Sequence, residues 1–590
     1  MNAVYAVPVL RLPSEAEIRL PGSKSHANRA IVCAALAAGR TVLRGVTASD
    51  DVEVMVENLC TLGFRARWHD KTCGELQIDG GVPASSGRGV LDCHNAGTTL
   101  RFLTSVAALT PGEWTLTGDA HMQKRPVGDL MSALRSLGAT ATESAGCPPV
   151  QIRGGSLRGG AVTLKADQSS QYLTSLLLIA PLLSEGLSVT IDGTLTSAGY
   201  IDLTTKVMKD FGVQVSRKSN TFIVHKAAYR AQATYEVEGD WSAAGSWLIL
   251  NELTKGRISM PNLSSDSFQS DRKLPEAVTV LRKAGDLTFD CGHIPDQVMN
   301  LCVLAAFRKG TAVFTGIANL RKKECDRLAV ISSELRKAGI DIRERGDDLV
   351  IRGAGSVGKI AAGAKDVILD PHDDHRMAMA FAVLGLVRGH LSIRNPKCVR
   401  KSYPDFFRDL ETVLRSGRTV SIVGMRGVGK SSMGRRLAAK LGMEHRDSDH
   451  LFEDAHGSIR EYVKKHGWEA FRQKEEEVIA SAVTPGIVLS LGGGALGSAK
   501  TRRLIREKTV AVWLQAKESE LIKRLQSGKR PPLTDLPLHE EVRKFLLERG
   551  PHYREVAKVT VSPTVRFREQ IPFVLRSLPE SVRPSSPRPR

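Results

Sequence analysis

One glycine-rich stretch has the composition of a phosphate-binding loop. It reads Gly424-Met425-Arg426-Gly427-Val428-Gly429-Lys430-Ser431 and continues into Ser432. A β-prone run at 419–423 precedes it, and apolar residues then recur four apart from Met433 to Leu441, which predicts a strand, a loop and a helix. In that order backbone N–H groups can surround a β-phosphate, Lys430 can reach the β and γ oxygens, and Ser431 can hold Mg²⁺. A glycine turn before an ordinary helix is the alternative, but the complete pattern favours nucleotide binding.

A phosphate-binding loop is shared by small-molecule kinases, motors and GTPases, so the phosphate acceptor must be sought in the residues that follow. Asp447 and Asp449 lie at the predicted end of a second strand, where Asp447 can help to hold Mg²⁺ and Asp449 can accept a hydroxyl proton. The apolar run 487–491 predicts a buried strand leading into glycines 492–494, which allow a ligand to approach the backbone closely. Either motif alone could be a solvated loop.

Three more blocks complete this set, namely Gly467-Trp468-Glu469-Ala470-Phe471-Arg472, Lys529-Arg530-Pro531-Pro532-Leu533 and Arg549-Gly550-Pro551-His552-Tyr553. Over residues 418 to about 570 the chain resembles shikimate kinase. The resemblance implies ATP with Mg²⁺ as cofactor, Arg530 on a lid over ATP, and a shikimate site made by Asp449, Arg472, Gly493, Gly494 and Arg549. Two arginines suit a carboxylate and one aspartate suits a hydroxyl. Trp468 departs from the small or acidic residue expected there, which leaves the local loop conformation open.

The first 415 residues contain a second set of basic and hydroxyl residues. Its blocks, in order, are Leu20-Pro21-Gly22-Ser23-Lys24-Ser25-His26-Ala27-Asn28-Arg29, Asn95-Ala96-Gly97-Thr98-Thr99-Leu100-Arg101, Lys124-Arg125-Pro126-Val127-Gly128, Ser169-Ser170-Gln171-Tyr172, Asp296, Asn319-Leu320-Arg321-Lys322-Lys323-Glu324-Cys325-Asp326-Arg327, His372-Asp373-Asp374-His375-Arg376 and Lys401-Ser402-Tyr403-Pro404. The first block alone is more typical of a plain helix start. Together, from about residue 8 to residue 412, the blocks resemble 5-enolpyruvylshikimate-3-phosphate synthase.

This second resemblance implies two adjoining subsites that bind anions. Phosphoenolpyruvate would be bound by Lys24, Gly97, Arg125, Gln171, Arg327, Arg376 and Lys401. Shikimate 3-phosphate would be bound by Lys24, Ser25, Arg29, Ser169, Ser170, Gln171, Ser197, Tyr200, Asp296, Asn319 and Lys323. The reaction needs an acid and a base in one pocket, and we expect Glu324, Asp296 and Lys24 to serve, with the group that protonates C3 left open between Glu324, Lys24 and Lys401. No metal or organic cofactor is expected, because phosphoenolpyruvate carries its own activation.

Two alternatives concern this first region. The block 372–375 could be a metal cluster, but adjacent side chains on one turn point in different directions, so a loop that orients Arg376 is favoured. A related enolpyruvyl transferase acts on a UDP-sugar and carries a reactive cysteine before its Arg-Pro element. Residues 120–124 contain no cysteine, which favours shikimate 3-phosphate as the acceptor.

The composition and charge of the chain narrow the classes of partner and the cellular location that can be expected. The 590 residues carry a formal charge of +20 and only 5% aromatic residues. A nucleic-acid-dependent ATPase is a hypothesis from a different class, but the basic residues alternate with acidic ones, so we expect neither nucleic-acid nor membrane partners. The nine cysteines include no CxxC pair and are scattered along the first region among apolar residues, which predicts reduced core thiols and no disulfides. The N-terminus shows neither a secretory signal nor a transit peptide, and we expect a cytoplasmic location; the sequence says nothing of oligomeric state.

The two resemblances imply an α/β architecture in two parts. Residues 1–415 would form a two-lobed inside-out α/β barrel of repeated βαβαββ units, with one lobe at about 1–21 and 240–415 and the other at about 22–239. Residues 418–575 would form a three-layer kinase domain with a five-stranded parallel sheet. We expect a short linker near 414–417 and a disordered basic tail at 576–590.

Overall fold

The computed structural model describes residues 3–10, 15–166, 168–193, 195, 197–254, 256–361, 364–416, 419–441, 443–484, 486–527 and 533–578. The chain divides into two compact units. One contains residues up to 9, 17–255 and 259–407, and the other contains 10–16, 256–258 and the residues from 408 onwards. The predicted lid residue Arg530, linker residue Gly417 and tail residues 579–590 lie outside the described residues.

Two complete βαβαββ repeats occur within residues 87–224. The elements up to residue 239 are β1 (Val4–Val7), β2 (Glu15–Glu17), α1 (Lys24–Leu36), β3 (Gly39–Arg44), α2 (Asp50–Thr61), β4 (Arg65–Asp70), β5 (Glu75–Gly80), β6 (Gly87–Asp92), α3 (Gly97–Leu109), β7 (Gly112–Thr117), α4 (Gly128–Ser136), β8 (Thr140–Ser144), β9 (Cys147–Gly154), β10 (Gly160–Lys165), α5 (Ser170–Ile179), β11 (Leu187–Asp192), α6 (Gly199–Asp210), β12 (Ser216–Lys218), β13 (Thr221–Val224) and β14 (Thr234–Glu236). The run β6-α3-β7-α4-β8-β9 forms a sheet in the order β6-β7-β9-β8, and the run that begins at β10 forms β10-β11-β13-β12 in the same pattern. A third sheet has the order β14-β3-β5-β4. In each sheet the first pair is parallel and the other pairs are antiparallel.

The helices of this lobe lie inside its sheets. Helices α1, α3 and α5 contact one another, and α1 and α3 also pack on β5 and β9 of the sheets. Every residue of α1 from His26 to Leu36 is buried, so this helix has apolar or satisfied neighbours on all sides. Buried apolar residues from Ala27 to Val237 form one continuous core. The predicted inside-out arrangement of helices surrounded by sheet is confirmed here.

The second lobe repeats the pattern. Its elements are α7 (Trp241–Thr254), α8 (Leu274–Leu281), β16 (Leu287–Asp290), α9 (Val298–Phe307), β17 (Lys309–Thr315), α10 (Arg327–Lys337), β18 (Asp341–Arg345), β19 (Asp348–Ala354), α11 (Val357–Ala361), β20 (Val367–Leu369), α12 (His375–Arg388) and β21 (Leu391–Arg394). Most of β15 (Arg257–Ser259) and of α13 (Phe406–Ser416) is counted with the second unit. The run β16-α9-β17-α10-β18-β19 forms the sheet β16-β17-β19-β18, and β1, β21 and β20 form a three-stranded sheet. Helices α7, α9 and α12 contact one another as the inner helices.

Two chain segments run side by side between the lobes. Gly22 and Gly239 form an isolated antiparallel bridge. Ser23 N–H donates to the Glu238 carbonyl at 2.8 Å, and Asp240 N–H donates to the Pro21 carbonyl at 2.9 Å. A Cβ atom on Gly22 would lie 1.8 Å from the carbonyl oxygen of Gly45, so only glycine fits at this crossing.

The second unit contains a five-stranded parallel sheet, as predicted. Its elements are β22 (Thr419–Gly424), α14 (Lys430–Leu441), β23 (Glu444–Asp447), α15 (Ser448–His456), α16 (Ile459–Ala482), β24 (Ile487–Ser490), α17 (Ala499–Lys508), β25 (Thr509–Leu514), α18 (Glu518–Gln526), α19 (Leu538–Val556), β26 (Ala557–Val561) and α20 (Phe567–Ser577). The strand order is β23-β24-β22-β25-β26, and every pair is parallel. All residues of β22 and β24 are buried. The loop that follows the central strand β22 leads directly into α14, which is the geometry the sequence predicts for phosphate binding. No helix among the described residues has both the length and the apolar composition to cross a membrane.

Candidate active sites

A polar cleft in the first unit contains every predicted residue of the first 415 positions except Lys401. It is lined by Lys24, Ser25, Arg29, Asp51, Gly97, Thr98, Arg125, Gln168, Ser169, Ser170, Gln171, Ser197, Tyr200, Asp296, Asn319, Lys323, Glu324, Arg327, His375 and Arg376. The prediction did not include Asp51, Thr98, Gln168 and His375. Lys401 lines a neighbouring groove that also contains Asp51.

Helix N-termini supply much of the cleft. Lys24 is the first residue of α1, and the Ser23 hydroxyl caps that helix by accepting from the His26 N–H. Helix α3 begins at Gly97, and the Ser169 hydroxyl caps α5. Helices α10 and α12 begin within the cleft-lining segments and are capped by aspartates. Because the N-terminus of a helix carries partial positive charge and orphan N–H groups, this arrangement favours anionic ligands.

Arg327 is the most heavily paired cation of the cleft. Its side chain is 1% exposed, and it forms ion pairs with Asp374 at 2.6 Å, Asp296 at 2.7 Å and Glu324 at 2.8 Å. Arg376 approaches the other oxygen of Asp296 at 3.4 Å. The guanidinium groups are therefore held in place by built-in carboxylates rather than by solvent.

Asp51 pairs with two lysines that come from different lobes. Its carboxylate oxygens accept from Lys24 at 2.8 Å and from Lys401 at 2.9 Å. Lys401 also donates to the carbonyl oxygen of Asn95 at 2.5 Å. Burial alone would raise the pKa of Asp51, but Lys24 and Lys401 outweigh it and lower that pKa. Lys401 therefore reaches the site through Asp51, which explains why it is absent from the lining of the main cleft.

Gly97 leaves room for two guanidinium groups. A Cβ atom there would lie 2.6 Å from Nη1 of Arg125 and 2.7 Å from Nη1 of Arg101. Nε and Nη1 of Arg125 are buried and have no hydrogen-bond partner among the described residues, and Arg101 donates to the Gln171 side chain at 2.9 Å. Unpartnered buried donors beside a glycine form a cradle that suits an anionic ligand.

The residues predicted for the second subsite are joined by hydrogen bonds. Tyr200 donates its hydroxyl hydrogen to Asp296 at 2.6 Å, and Asn319 donates to the Ser197 hydroxyl at 3.1 Å. Arg29 is 2% exposed and donates to Thr204, Ser25, Tyr200 and Thr174. Arg29 is thus largely satisfied by the protein and lies at the margin of the space that a ligand could occupy.

The carboxylates of this cleft are ionised. Burial alone would raise the pKa of Asp296, but Arg376, Lys323 and Arg327 outweigh it and hold that pKa well below its ordinary value. Arg327, Lys401 and Arg125 do the same for the pKa of Glu324. Burial and the nearby positive charges lower the pKa of His375 well below its ordinary value, so its imidazole is neutral. The cleft therefore offers ionised carboxylates as bases among cations that can stabilise or protonate an anion.

The block from His372 to His375 is a helix start. His372 and Asp373 are exposed and have positive φ angles, whereas Asp374 and His375 are buried. Asp374 caps α12 by accepting from the backbone N–H of Arg376, but its carboxylate contacts the side chain of Arg327. The loop thus orients Arg327 directly and Arg376 only through its backbone. Among the described residues there is no group of three His, Cys, Asp or Glu side chains placed to hold a metal ion.

In the second unit the predicted phosphate loop connects β22 to α14. Gly424, Gly427 and Gly429 have φ angles of 144°, 81° and 102°, which favour glycine. Lys430 donates to the carbonyl oxygens of Gly424 at 3.1 Å and Met425 at 3.2 Å. The remaining predicted loop residues, Arg426, Val428, Ser431 and Ser432, lie in or directly after this turn. The loop is closed around the lysine, with its helix N-terminus available to a phosphate.

Ser431 and Asp447 form an oxygen pair at this loop. The Ser431 hydroxyl donates to the Asp447 carboxylate at 2.6 Å. The other oxygen of Asp447 accepts from the backbone N–H of Asp449 at 3.1 Å and caps α15. A hydroxyl and a carboxylate oxygen are ligands that suit Mg²⁺, so these residues fit the metal that accompanies ATP.

The predicted acceptor residues meet beside the triple glycine. Cβ atoms on Gly492 and Gly494 would lie 2.5 Å from the Asp449 carboxylate and 2.3 Å from Nη2 of Arg472. Arg549 donates to the carbonyl oxygen of Gly493 at 3.1 Å, and Arg472 pairs with Glu475 at 2.5 Å. Burial raises the pKa of Asp449, which is the direction expected of a carboxylate that accepts a proton. The glycines thus let one aspartate and two arginines converge.

Trp468 follows a break in α16. Gly467 has φ 83° and ψ 166° inside this helix, and Trp468 is 48% exposed. The Arg472 guanidinium lies 5.5 Å from the centre of the Trp468 ring and 5.1 Å from that of Phe471. The unusual tryptophan therefore packs against Arg472, a predicted site residue, and it directly follows the non-helical Gly467.

All nine cysteines are free thiols. Cys33, Cys93, Cys291 and Cys302 are buried, as predicted for core thiols, but Cys60 and Cys73 are exposed. Cys60 lies one residue before the end of α2 and Cys73 lies in the turn between β4 and β5, so the prediction of core thiols is wrong for these two.

Comparisons with known proteins match both parts of the chain. The family model EPSP synthase (3-phosphoshikimate 1-carboxyvinyltransferase) matches residues 11–410, and the model Shikimate kinase matches residues 426–572. A 3-phosphoshikimate 1-carboxyvinyltransferase of Shewanella sp. (strain W3-18-1) is 36% identical over 433 residues, which cover 70% of this chain and 100% of that protein. The pentafunctional AROM polypeptide of Candida glabrata is 33% identical over 564 residues, covering 82% of this chain but 36% of that longer protein. The solved EPSP synthase from Acinetobacter baumannii is 24% identical, covers 70% of this chain and 98% of its own, and superimposes with a TM-score of 0.59.

Proposed function

Because the chain belongs to the family of EPSP synthases and carries a shikimate kinase domain as well, we propose that its two sites perform consecutive steps of the shikimate pathway. The C-terminal domain phosphorylates shikimate with ATP to shikimate 3-phosphate. The N-terminal domain transfers the enolpyruvyl group of phosphoenolpyruvate to shikimate 3-phosphate, which yields 5-enolpyruvylshikimate 3-phosphate and phosphate. The observation that carries this proposal is the convergence of cations and ionised carboxylates in one cleft.

In the synthase reaction the substrate 5-hydroxyl adds to C2 of phosphoenolpyruvate while C3 gains a proton. The ammonium group of Lys401 would supply that proton, because Glu324 is ionised and has none to give. Asp296 is ionised and close to Arg327 and Arg376, and it would accept the hydroxyl proton. Phosphate then leaves as C3 gives up a proton to Glu324, the second ionised carboxylate. Lys24 would donate a proton to the departing phosphate oxygen, and the surrounding arginines would stabilise its charge.

The anionic groups of the substrates have distinct partners in this scheme. Phosphoenolpyruvate would lie against Arg125, whose Nε and Nη1 have no hydrogen-bond partner within the part of the chain that the structure describes. Gly97, Gln171, Arg327, Arg376, Lys24 and Lys401 would surround it. Shikimate 3-phosphate would lie on Ser25, Ser169, Ser170, Ser197, Tyr200, Asn319 and Lys323, with Arg29 behind them. Two phosphates and two carboxylates would thereby meet the positive ends of several helices.

In the kinase reaction Asp449 would accept the proton of the substrate 3-hydroxyl as that oxygen attacks the γ-phosphorus. Lys430 would stabilise charge on the phosphate oxygens, and Arg472 and Arg549 would bind the substrate carboxylate. Ser431 and Asp447 would hold Mg²⁺, which when bound neutralises charge on the β and γ phosphates. The loop N–H groups at the start of α14 would orient the nucleotide.

We also propose the domain boundaries 1–415 and 418–575. The family matches at 11–410 and 426–572 leave a short segment between them, which supports a linker near 414–417. The continuous core from Ala27 to Val237 supports one lobe at about 22–239, with the other at about 1–21 and 240–415.

A coupled assay tests the proposed function. The purified chain is mixed with shikimate, ATP, Mg²⁺ and phosphoenolpyruvate, and the enolpyruvyl product and phosphate are measured by mass spectrometry. We expect product only when all four components are present, and we expect supplied shikimate 3-phosphate to replace shikimate, ATP and Mg²⁺. Product formation without phosphoenolpyruvate, or no product from supplied shikimate 3-phosphate, would contradict the assignment of the N-terminal site.

A further inference from the structure

A stripe of three residues on α19 faces the kinase site. Phe545, Arg549 and Tyr553 are spaced four apart, so they lie on one side of this helix. Arg549 and Tyr553 both donate to the carbonyl oxygen of Gly493, at 3.1 Å and 2.6 Å. The helix face is thereby docked on the triple-glycine loop, with Phe545 one turn before the arginine.

Phe545 makes the shortest contact between a cation and a ring among the described residues. The guanidinium carbon of Arg549 lies 3.9 Å from the centre of the Phe545 ring. Phe545 itself is half-buried and packs against the hydrophobic core of this unit. One face of the guanidinium is therefore fixed by an anchored ring, and one edge is fixed by the Gly493 carbonyl.

The two predicted arginines of this site are held differently. Arg472 has a carboxylate partner in Glu475, whereas no ion pair of Arg549 occurs among the described residues. Burial and the positive charge of Arg472 lower the pKa of Arg549, so its charge is costly while no anion is present. An aromatic face attracts a guanidinium through its quadrupole but does not neutralise it. Arg549 can therefore be oriented while its charge stays available to an incoming carboxylate.

We propose that Phe545 is a positioning residue of the kinase reaction, whose ring holds the Arg549 guanidinium in the orientation that binds the carboxylate of the acceptor substrate. This inference rests on the proposed function of the kinase site. It assigns Phe545 a part in recognising the acid group and no part in nucleotide binding or phosphoryl transfer. A hydrophobic core role alone would require only an apolar side chain at this position.

The variants Phe545→Leu and Phe545→Tyr test the inference in the full-length chain. Leucine keeps the apolar character and removes the ring face, and tyrosine keeps the ring. We expect Phe545→Leu to raise the KM for shikimate about 2–5-fold, the change that corresponds to one cation–ring contact, with KM for ATP and kcat unchanged. Phe545→Tyr should restore the original KM. If Phe545→Leu does not fold, Phe545→Met carries the same expectation.

Two controls separate positioning from packing. Phe567 stacks on Arg436 at 4.4 Å and is 62% exposed, so Phe567→Leu removes a similar contact elsewhere in the unit and should leave every kinetic parameter unchanged. The carboxamide of shikimate lacks the anionic group, so its inhibition constant should be the same in the original chain and in Phe545→Leu. The role of Phe545 would be overturned if Phe545→Leu left the KM for shikimate unchanged, or if it weakened binding of the carboxamide as much as binding of shikimate. It would also be overturned if Phe567→Leu raised the KM for shikimate by the same factor. Absence of shikimate-dependent ADP formation by the unaltered chain would instead overturn the proposed function itself.

Discussion

The synthase cleft and the kinase site both gather positive charge, but they hold it by different means. In the cleft, Arg327 has three carboxylate partners and Lys24 and Lys401 share Asp51. In the kinase site, Lys430 is held by two backbone carbonyls and Arg549 by a carbonyl and a ring. A substrate anion at Arg327 must compete with built-in counter-ions, whereas a carboxylate at Arg549 meets a guanidinium that is oriented but has no ion pair among the described residues.

Exchanging a lysine or a carboxylate for alanine is the strongest test of this division. We expect Lys430→Ala to lower kinase turnover by about 10³-fold or more, because the transferred phosphate loses its charge stabilisation, and to leave synthase turnover on supplied shikimate 3-phosphate unchanged. Glu324→Ala should do the reverse. Separate assays of ADP and of released phosphate measure the two rates, and loss of both activities in either variant would contradict independent sites.

Removing the counter-ion of the two lysines should cost stability as well as activity. Asp51→Ala leaves Lys24 and Lys401 buried without their shared carboxylate, and breaking such a pair costs about 3–5 kcal/mol. We expect the denaturant midpoint at which synthase activity is lost to fall, with kinase activity lost at its original midpoint. Glu477→Ala, at an exposed pair with Lys474, is the matched control and should change neither midpoint.

Removing the charge of Asp271 should stabilise the protein, whereas removing that of Asp51 should destabilise it. Burial and the nearby Asp296 raise the pKa of Asp271 to about 6, above its unfolded value near 4. Folding therefore becomes less favourable as the pH rises from about 4 to 6, and the penalty is complete above that range. We expect Asp271→Asn to stabilise the synthase region at pH 7.5, by on the order of 1–3 kcal/mol, and to stabilise it much less at pH 4. Equal effects of the substitution at both pH values would show that folding does not raise the pKa of Asp271.

The pH dependence of the two rates is the mildest test. Burial raises the pKa of Asp449, whereas arginines and a lysine outweigh burial and lower the pKa of Glu324. On acidification Asp449 gains its proton first, so kcat of the kinase should fall at a higher pH than kcat of the synthase, by about tenfold per pH unit below the Asp449 pKa. Stopped assays between pH 7 and pH 4 measure both. A synthase rate that falls first would contradict the comparison.

Much of the kinase site could be predicted because its chemistry is local in sequence. Residues 424–432 form the strand end, turn and helix start together, and spacing alone predicts this geometry. Asp51 could not be predicted in the same way, because its partners Lys24 and Lys401 are 27 and 350 residues distant. Only its place in the acidic first turn of α2 offered a signal, and that pattern is typical of any helix start.

The inside-out architecture also could not be predicted from the periodicity of apolar residues. Helices α9 and α12 are buried on nearly all sides, so their sequences show no polar face that would indicate where the sheets lie. His375 belongs to a block whose sequence predicts a loop, and only the tertiary structure shows that its imidazole lines the cleft, with no hydrogen-bond partner among the described residues. The family resemblance supplied what residue patterns could not, because it carries long-range information that a single sequence lacks.

The paired crossing at Gly22 and Gly239 limits how the lobes can move. Two chain segments joined by backbone hydrogen bonds resist twisting about their common axis more than a single connecting segment would. Bending of the paired segments costs less than twisting them, so we expect the cleft to open by a hinge rotation of one lobe relative to the other. With no space for a methyl group at Gly22, the two segments are packed closely at this crossing, and we expect the lobes to move mainly about a single axis that passes through it.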